Sequence, residues 1–130
     1  MRVVLASDNR GKLREIGELL AGSNIEIVAQ STFNIVSADE TGTTFTENAL
    51  LKARHAAGAS KLPAIADDSG LEVDALNGAP GVYSARFAGV SASDADNVAK
   101  LLRDLHGIPQ AQRSARFRCV MVYVAHADDL

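Results

Sequence analysis

Apolar residues fall along this chain in short unbroken runs that alternate with stretches of helical period. The first run, Val3-Val4-Leu5-Ala6, is closed by Ser7-Asp8-Asn9, the pattern of a buried strand that ends in a turn. From Lys12 the period changes. Leu13, Ile16, Leu19 and Leu20 recur at helical spacing, with Asp8 or Asn9 available as an N-terminal cap and Gly22 just past the end. Ile25 to Ala29 predicts a second strand, so the opening reads strand–helix–strand, most simply a right-handed parallel unit. Residues 31–43 are polar and read as loop. Thr44-Phe45-Thr46-Glu47 then matches a capping box, with Glu47 reaching back to Thr44, ahead of an alanine-rich helix to Ala59. Pro63 precedes a short strand, Ala64-Ile65-Ala66, that runs into Asp67-Asp68-Ser69-Gly70. Residues 76–81 (Leu-Asn-Gly-Ala-Pro-Gly) predict a turn. Ser93 with Asp96 opens a helix carrying Val98, Leu101, Leu102 and Leu105, closed by Pro109, and Arg116 to Ala125 predicts a long strand. The pattern is α/β, with four or five strands and three helices.

Composition narrows the class. The chain has 130 residues, 47% of them apolar and 22% charged, which fits one globular domain over 1–130 and excludes a disordered tail. Lys and Arg total 13 against 16 Asp and Glu, a formal net charge of -3. That balance argues against a general nucleic-acid coat protein, which needs basic excess to neutralise phosphates, but not against one phosphate-bearing ligand held by a local cluster. The single cysteine, Cys119, excludes an intrachain disulfide and suits a reducing compartment. Flanked by apolar strand residues, it reads as a buried, inert thiol. The apolar start, Met1 to Ala6, is too short for a signal or spanning segment, so a cytoplasmic protein is expected. The last strand runs almost to the end at Asp128-Asp129-Leu130. Because an apolar strand is normally covered, the pattern is that of the front part of a larger domain.

Three segments could carry chemistry. Ser7-Asp8-Asn9-Arg10-Gly11-Lys12 lies between a strand and a helix, where backbone N–H groups favour anions. Gly11 permits close backbone approach. Lys12 brings a full positive charge to the end where the macrodipole disfavours it, so its placement needs a reason. The segment reads either as a phosphate site or as an ordinary turn with a solvated Lys; it lacks Walker A spacing. Asp67-Asp68-Ser69-Gly70 lies at the expected strand end, the edge of an open α/β sheet where ligands bind. Adjacent strand residues face opposite ways, so at most one of the two carboxylates can face a given cleft. Two adjacent carboxylates need compensation, for which Mg²⁺ with its preference for oxygen ligands is the natural candidate. The bland alternative is a turn at Asp68-Ser69 with Asp67 solvated. Glu40 lies on a loop, free to reach a metal, whereas Glu47 reads as a structural cap. Lys52 could reach a phosphate or simply be solvated. His55 reads as a surface histidine, His106 as a helix C-terminal residue, and His126 carries no assignment. Tyr83 and Phe87 read as packing residues. No nucleophile elbow is present.

In order along the chain these segments resemble the inosine/xanthosine triphosphate pyrophosphatase (ITPase) family. Ser-Asp-Asn-Arg-Gly-Lys at 7–12 resembles its [ST]-x-N-x-x-K opening. Glu-Thr-Gly-Thr-Thr-Phe-Thr-Glu-Asn-Ala-Leu-Leu-Lys-Ala at 40–53 resembles its second block, and the run from Ala66 to Phe87 its signature block. Arg116-Phe117-Arg118-Cys119 fits the strand that follows. The resemblance implies a mixed twisted sheet flanked by helices in a two-lobed fold. It also implies Mg²⁺-dependent hydrolysis of ITP, dITP and XTP to the monophosphate and pyrophosphate, a homodimer, and a role in cleansing the nucleotide pool. Carried over, Ser7, Asp8, Asn9, Arg10, Gly11 and Lys12 would hold the triphosphate, and Glu40 and Asp68 would bind Mg²⁺. Asp68 would also accept the proton that activates water, and Lys52 and Ser69 would contact the nucleotide. Donors aimed at a purine 6-keto oxygen would reject ATP, whose amino group would leave donor facing donor. The family continues through segments resembling Phe-Gly-Tyr-Asp-Pro, a Lys and Ser-His-Arg, so these residues correspond to its N-terminal two thirds. Alone they are expected to bind ITP weakly and to turn it over slowly or not at all. The competing readings are a non-catalytic nucleotide-binding fragment and a Maf-like nucleotide pyrophosphatase.

Overall fold

A computed structural model describes residues 1–129. The strands are β1 (Arg2–Leu5), β2 (Glu26–Ala29), β3 (Ala64–Val73) and β4 (Ala115–Val124), and the helices are α1 (Arg10–Leu19), α2 (Phe45–Ser60) and α3 (Asp94–Asp104). They build an α/β fold around a mixed four-stranded sheet in the order β2-β1-β3-β4. β1 lies inside that order because Val3, Val4 and Leu5 are at most 1% exposed, the continuous burial of a strand covered on both faces. It runs parallel to β2, from Arg2 opposite Glu26 to Leu5 opposite Ala29, and parallel to the start of β3, with Val4 opposite Ala64 and Leu5 opposite Ile65.

The chain divides into two compact units: residues 1–68 with the segment from Val120 onward, and residues 69–119. The first has a core of Val4, Ala6, Ile35, Val124, Ala64 and Ala66 with Ala53, Ala56 and Ala57 of α2. Alanines on the buried face let the α2 backbone lie close to the strands with little side-chain entropy lost. In the second unit, Ser93 caps α3 in a full capping box with Asp96. Asn97 accepts from Ala88 N–H at 2.9 Å and donates to the Ala85 carbonyl at 3.0 Å, tying α3 to the turn before it.

Four expectations need correction. β3 is ten residues long and runs on through Asp67 and Asp68 to Val73, so neither a strand end nor a turn occurs there. β1 pairs only with the beginning of β3, whose other neighbour is the equally long β4. Leu19 is 83% exposed, because six residues after Leu13 a helix has turned about 120° off that residue's face. Glu47 does not reach back to the cap. Thr44 Oγ1 accepts from Glu47 N–H, but the Glu47 carboxylate accepts from the N–H and hydroxyl of Thr43. Cys119 is exposed, since strand alternation puts it on the same face of β4 as Phe117, Met121 and Tyr123, which are 77%, 58% and 50% exposed.

Candidate functional site

Three pieces of the first unit converge on the C-terminal edge of its parallel strands. The first is the turn from β1 into α1. Asn9 caps α1, its Oδ1 accepting from Lys12 N–H at 3.1 Å, and Ser7 Oγ accepts from Asn9 N–H at 3.0 Å. A Cβ on Gly11 would come within 3.2 Å of that same Asn9 oxygen, so the capped turn favours glycine. The first turn of α1 carries no acidic side chain, leaving the positive end of the helix uncompensated from within. Ser7, Asp8, Asn9 and Arg10 line a cavity of about 560 Å³ together with Leu13 and Ala29. Arg10 is exposed, at the mouth of the helix.

Lys12 has its reason. Its Nζ lies 2.5 Å from Asp67 Oδ2, and the Asp67 side chain is only 7% exposed against 36% for Lys12. The lysine thus neutralises a buried carboxylate from β3 and keeps its outer side in solvent.

Asp68 faces a different lysine. Lys52 Nζ stands 3.8 Å from Asp68 Oδ1 and 3.2 Å from Glu40 Oε1, one ammonium against two carboxylates. Asp68 is buried, and its Oδ2 meets no hydrogen-bond partner. Burial, then the neighbouring Glu40 charge, pushes the Asp68 carboxyl above the usual carboxylate value, with a smaller push from Asp67; Lys52 and the Asn48 amide oppose them. The Asn48 amide is near enough to favour the ionised form, yet its Nδ2 reaches no acceptor at hydrogen-bond geometry.

The loop carrying Glu40 is pinned along its length. Gln30 Nε2 donates to Ser37 Oγ at 3.1 Å, and the Ser37 hydroxyl donates to Asp8 Oδ2 at 3.0 Å. His55 Nε2 lies 2.6 Å from the Val36 carbonyl, so that nitrogen carries the proton. Gly42 N–H donates to Asn48 Oδ1 at 2.7 Å, and Thr43 N–H to Glu47 at 2.8 Å.

Whether these groups suit Mg²⁺ can be judged from the donor set. Among the described residues no group of three His, Cys, Asp or Glu is gathered. Mg²⁺, however, commonly takes one or two carboxylates and completes its shell with water and substrate phosphate. Glu40 and Asp68 supply two such carboxylates, one with a buried oxygen lacking any partner, and the repulsion between them is what a divalent cation relieves. The residues fit.

The sequence model of the Ham1 family matches residues 3–130. The chain belongs to the Ham1 family. It is 61% identical over 128 residues to a dITP/XTP pyrophosphatase of Vibrio cholerae, covering 98% of this chain and 64% of that protein. To the dITP/XTP pyrophosphatase of Thioalkalivibrio sulfidiphilus it is 59% identical over 129 residues, 99% of this chain and 66% of the other. Among solved structures, a HAM1 protein from Coxiella burnetii superposes with a TM-score of 0.94 at 47% identity, over 99% of this chain and 66% of that one. A nucleoside-triphosphatase / dITP/XTP pyrophosphatase from Mycobacterium abscessus gives 0.80 at 40% identity, over 96% and 65%. This Ham1 chain therefore spans about two thirds of the length of the relatives it matches.

Within the Ham1 chain, the structure brings Glu40, Lys52 and Asp68 together and sets Lys12 on Asp67. Ser69, half-buried and next in β3, is the first residue of the second unit. Sequence reasoning missed three residues of the site. Asp67 was recoverable in principle, because alternation in a strand gives each of two adjacent carboxylates its own partner. Asn48 and His55 carry no local signal, because their partners lie on a loop without regular period.

Proposed function

We propose that the whole protein hydrolyses deaminated purine nucleoside triphosphates (ITP, dITP and XTP) to the monophosphate and pyrophosphate. The observation that carries this reading is Asp68, a buried carboxylate with one unpartnered oxygen, beside Glu40 and Lys52 at the edge of the parallel strands. The names of the similar proteins, dITP/XTP pyrophosphatases, support it.

Each residue has work suited to its setting. The free N–H groups at the start of α1, in the segment Ser7 to Lys12, bind the negative triphosphate. Asp8 takes part through its backbone, since its carboxylate is engaged by Ser37. Arg10 and the outer side of Lys12 add positive charge there. Lys52 turns part of its charge to the phosphates, and Ser69 offers a hydroxyl to the nucleotide. Attack of water on the α-phosphorus needs positioning and charge neutralisation more than covalent help. Asp68 accepts the proton of that water. Glu40 and Asp68 would hold Mg²⁺, which when bound supplies the charge neutralisation that the lysines cannot supply alone. The reading extends to a cytoplasmic homodimer; among the described residues no helix is long and apolar enough to cross a membrane.

Product analysis tests the proposal. Incubated with ITP and Mg²⁺, the whole protein should release IMP and pyrophosphate in equal amounts, with XTP and dITP cleaved alike and ATP poorly. Release of IDP and orthophosphate, or a preference for dTTP and UTP of the kind a Maf-like enzyme would show, would contradict it.

A further inference from the structure

We propose that Asn48 is a positioning residue for the acidic pair, holding the loop that carries Glu40 against α2 beside Asp68. The proposal rests on the reading of Glu40 and Asp68 as a cation-holding pair and names what holds the two in register.

Asn48 sits in the first turn and a half of α2, its backbone N–H donating to the Thr44 carbonyl at 3.1 Å. The helix needs nothing from its side chain, and asparagine is a poor helix former. Yet the side chain is 0% exposed, a placement that desolvates both ends of an amide and demands partners for each. One end is satisfied. Oδ1 accepts from Gly42 N–H at 2.7 Å, and since only the oxygen can accept, this bond fixes which way the amide is turned. Nδ2 is thereby directed away from the loop, beside Asp68, and neither it nor Asp68 Oδ2 completes a hydrogen bond. A buried donor on Asn48 and a buried acceptor on Asp68 are both left without a partner.

Gly42, two residues after Glu40, is matched to this arrangement. A Cβ there would lie 2.7 Å from Asn48 Oδ1 and 2.7 Å from Glu47 Cβ. The loop can therefore lie against Asn48 only as glycine. Without the amide, the segment bearing Glu40 loses its buried attachment to α2, leaving there the more exposed Thr43–Glu47 bonds and the Lys52 ion pair.

The test uses Asn48→Ala and Gly42→Ala, the second leaving Asn48 intact but forcing the loop off it. Two measurements are made on the protein without nucleotide: Mn²⁺ affinity by titration, and hydrogen exchange of the Gly42 amide by NMR. Each variant should lose about tenfold or more in Mn²⁺ affinity, the usual scale for removing an outer support of a metal site. In Asn48→Ala the Gly42 amide should exchange on the order of tenfold faster, as expected for one lost hydrogen bond, while amides of β1 keep their protection. Wild-type Mn²⁺ affinity in Asn48→Ala, or an unchanged Gly42 exchange rate, overturns the proposal. A wild-type protein that binds no Mn²⁺ overturns the cation reading itself, and the Gly42 exchange rate in Asn48→Ala then decides the tether by itself. Should Asn48→Ala fail to fold, Gly42→Ala decides: undiminished Mn²⁺ affinity there counts against the tether.

Discussion

Asp67 and Asp68 are neighbours in one strand, both buried, and each faces a lysine, but they have opposite fates. Asp67 has Lys12 at 2.5 Å, one charge against one. Asp68 shares Lys52, at 3.8 Å, with Glu40, and keeps one oxygen without a partner. Alternation along the strand makes the difference, since it sends the two side chains to opposite faces where different segments wait. The first pair is complete and holds α1 to β3. The second leaves a buried carboxylate oxygen without a hydrogen-bond partner, and such an oxygen is what a divalent ion or a catalytic proton needs. Burial of a charge is thus no mark of function by itself; the mark is burial with compensation left unfinished.

The largest expected effect lies on the unfinished side. Asp68→Asn should cut hydrolysis by about 10²–10⁴-fold, the range for losing a general base, with the fold retained. It should also remove a pH dependence. The Asp68 carboxyl lies above its ordinary value of 3.8, so the native state holds that proton more tightly than the unfolded chain does. Stability from this group is therefore full at low pH and declines as pH rises from the ordinary value through the raised one. The variant should match or exceed wild type in denaturant midpoint at pH 7, and a clear loss there would count against the sign.

On the finished side the order of effects reverses. Lys12→Ala leaves Asp67 buried without its partner and should lower stability by about 1–3 kcal/mol, a range kept modest because the lysine is partly exposed. Triphosphate binding, measured by titration, should weaken as well. Adding Asp67→Asn should recover most of the stability but none of the affinity. If both return together, Lys12 serves the fold alone.

Smaller still is the cap of the helix that carries Asn48 and Lys52. Thr44→Ala should cost about 1 kcal/mol in denaturant unfolding. Smallest are Asp74 and Asp96, held below the ordinary 3.8 by hydrogen bonds from Ser114 and Arg116, and from Ser93. Both favour the native state above that value and lose this contribution as pH falls through the lowered pKa. Asp96→Asn, which removes the titrating group, should therefore flatten the acid side of the stability profile slightly.

Much of this comparison was legible in the residues. Continuous runs marked β1 and β2, the shift to helical period marked α1, and the ordered blocks from Ser7 to Phe87 identified the family. Opposite facing of Asp67 and Asp68 also followed from alternation. What could not be read were long-range partners. Nothing near Lys12 announces Asp67, 55 positions on, and nothing near Asn48 announces Gly42, which reaches it through an irregular loop. The length of β3 was missed because Asp, Asp, Ser and Gly are weak strand formers; a long neighbour, β4, overrides that local preference. Cys119 was misjudged because apolar neighbours in sequence do not say which face of a strand is covered.

The central claim is that a divalent cation belongs to Asp68 and Glu40, and not to Asp67. Mn²⁺ titration of wild type, Asp68→Asn and Asp67→Asn tests it most directly. Asp68→Asn should lose the cation while Asp67→Asn keeps it near wild-type affinity; loss in Asp67→Asn with binding preserved in Asp68→Asn would contradict the account.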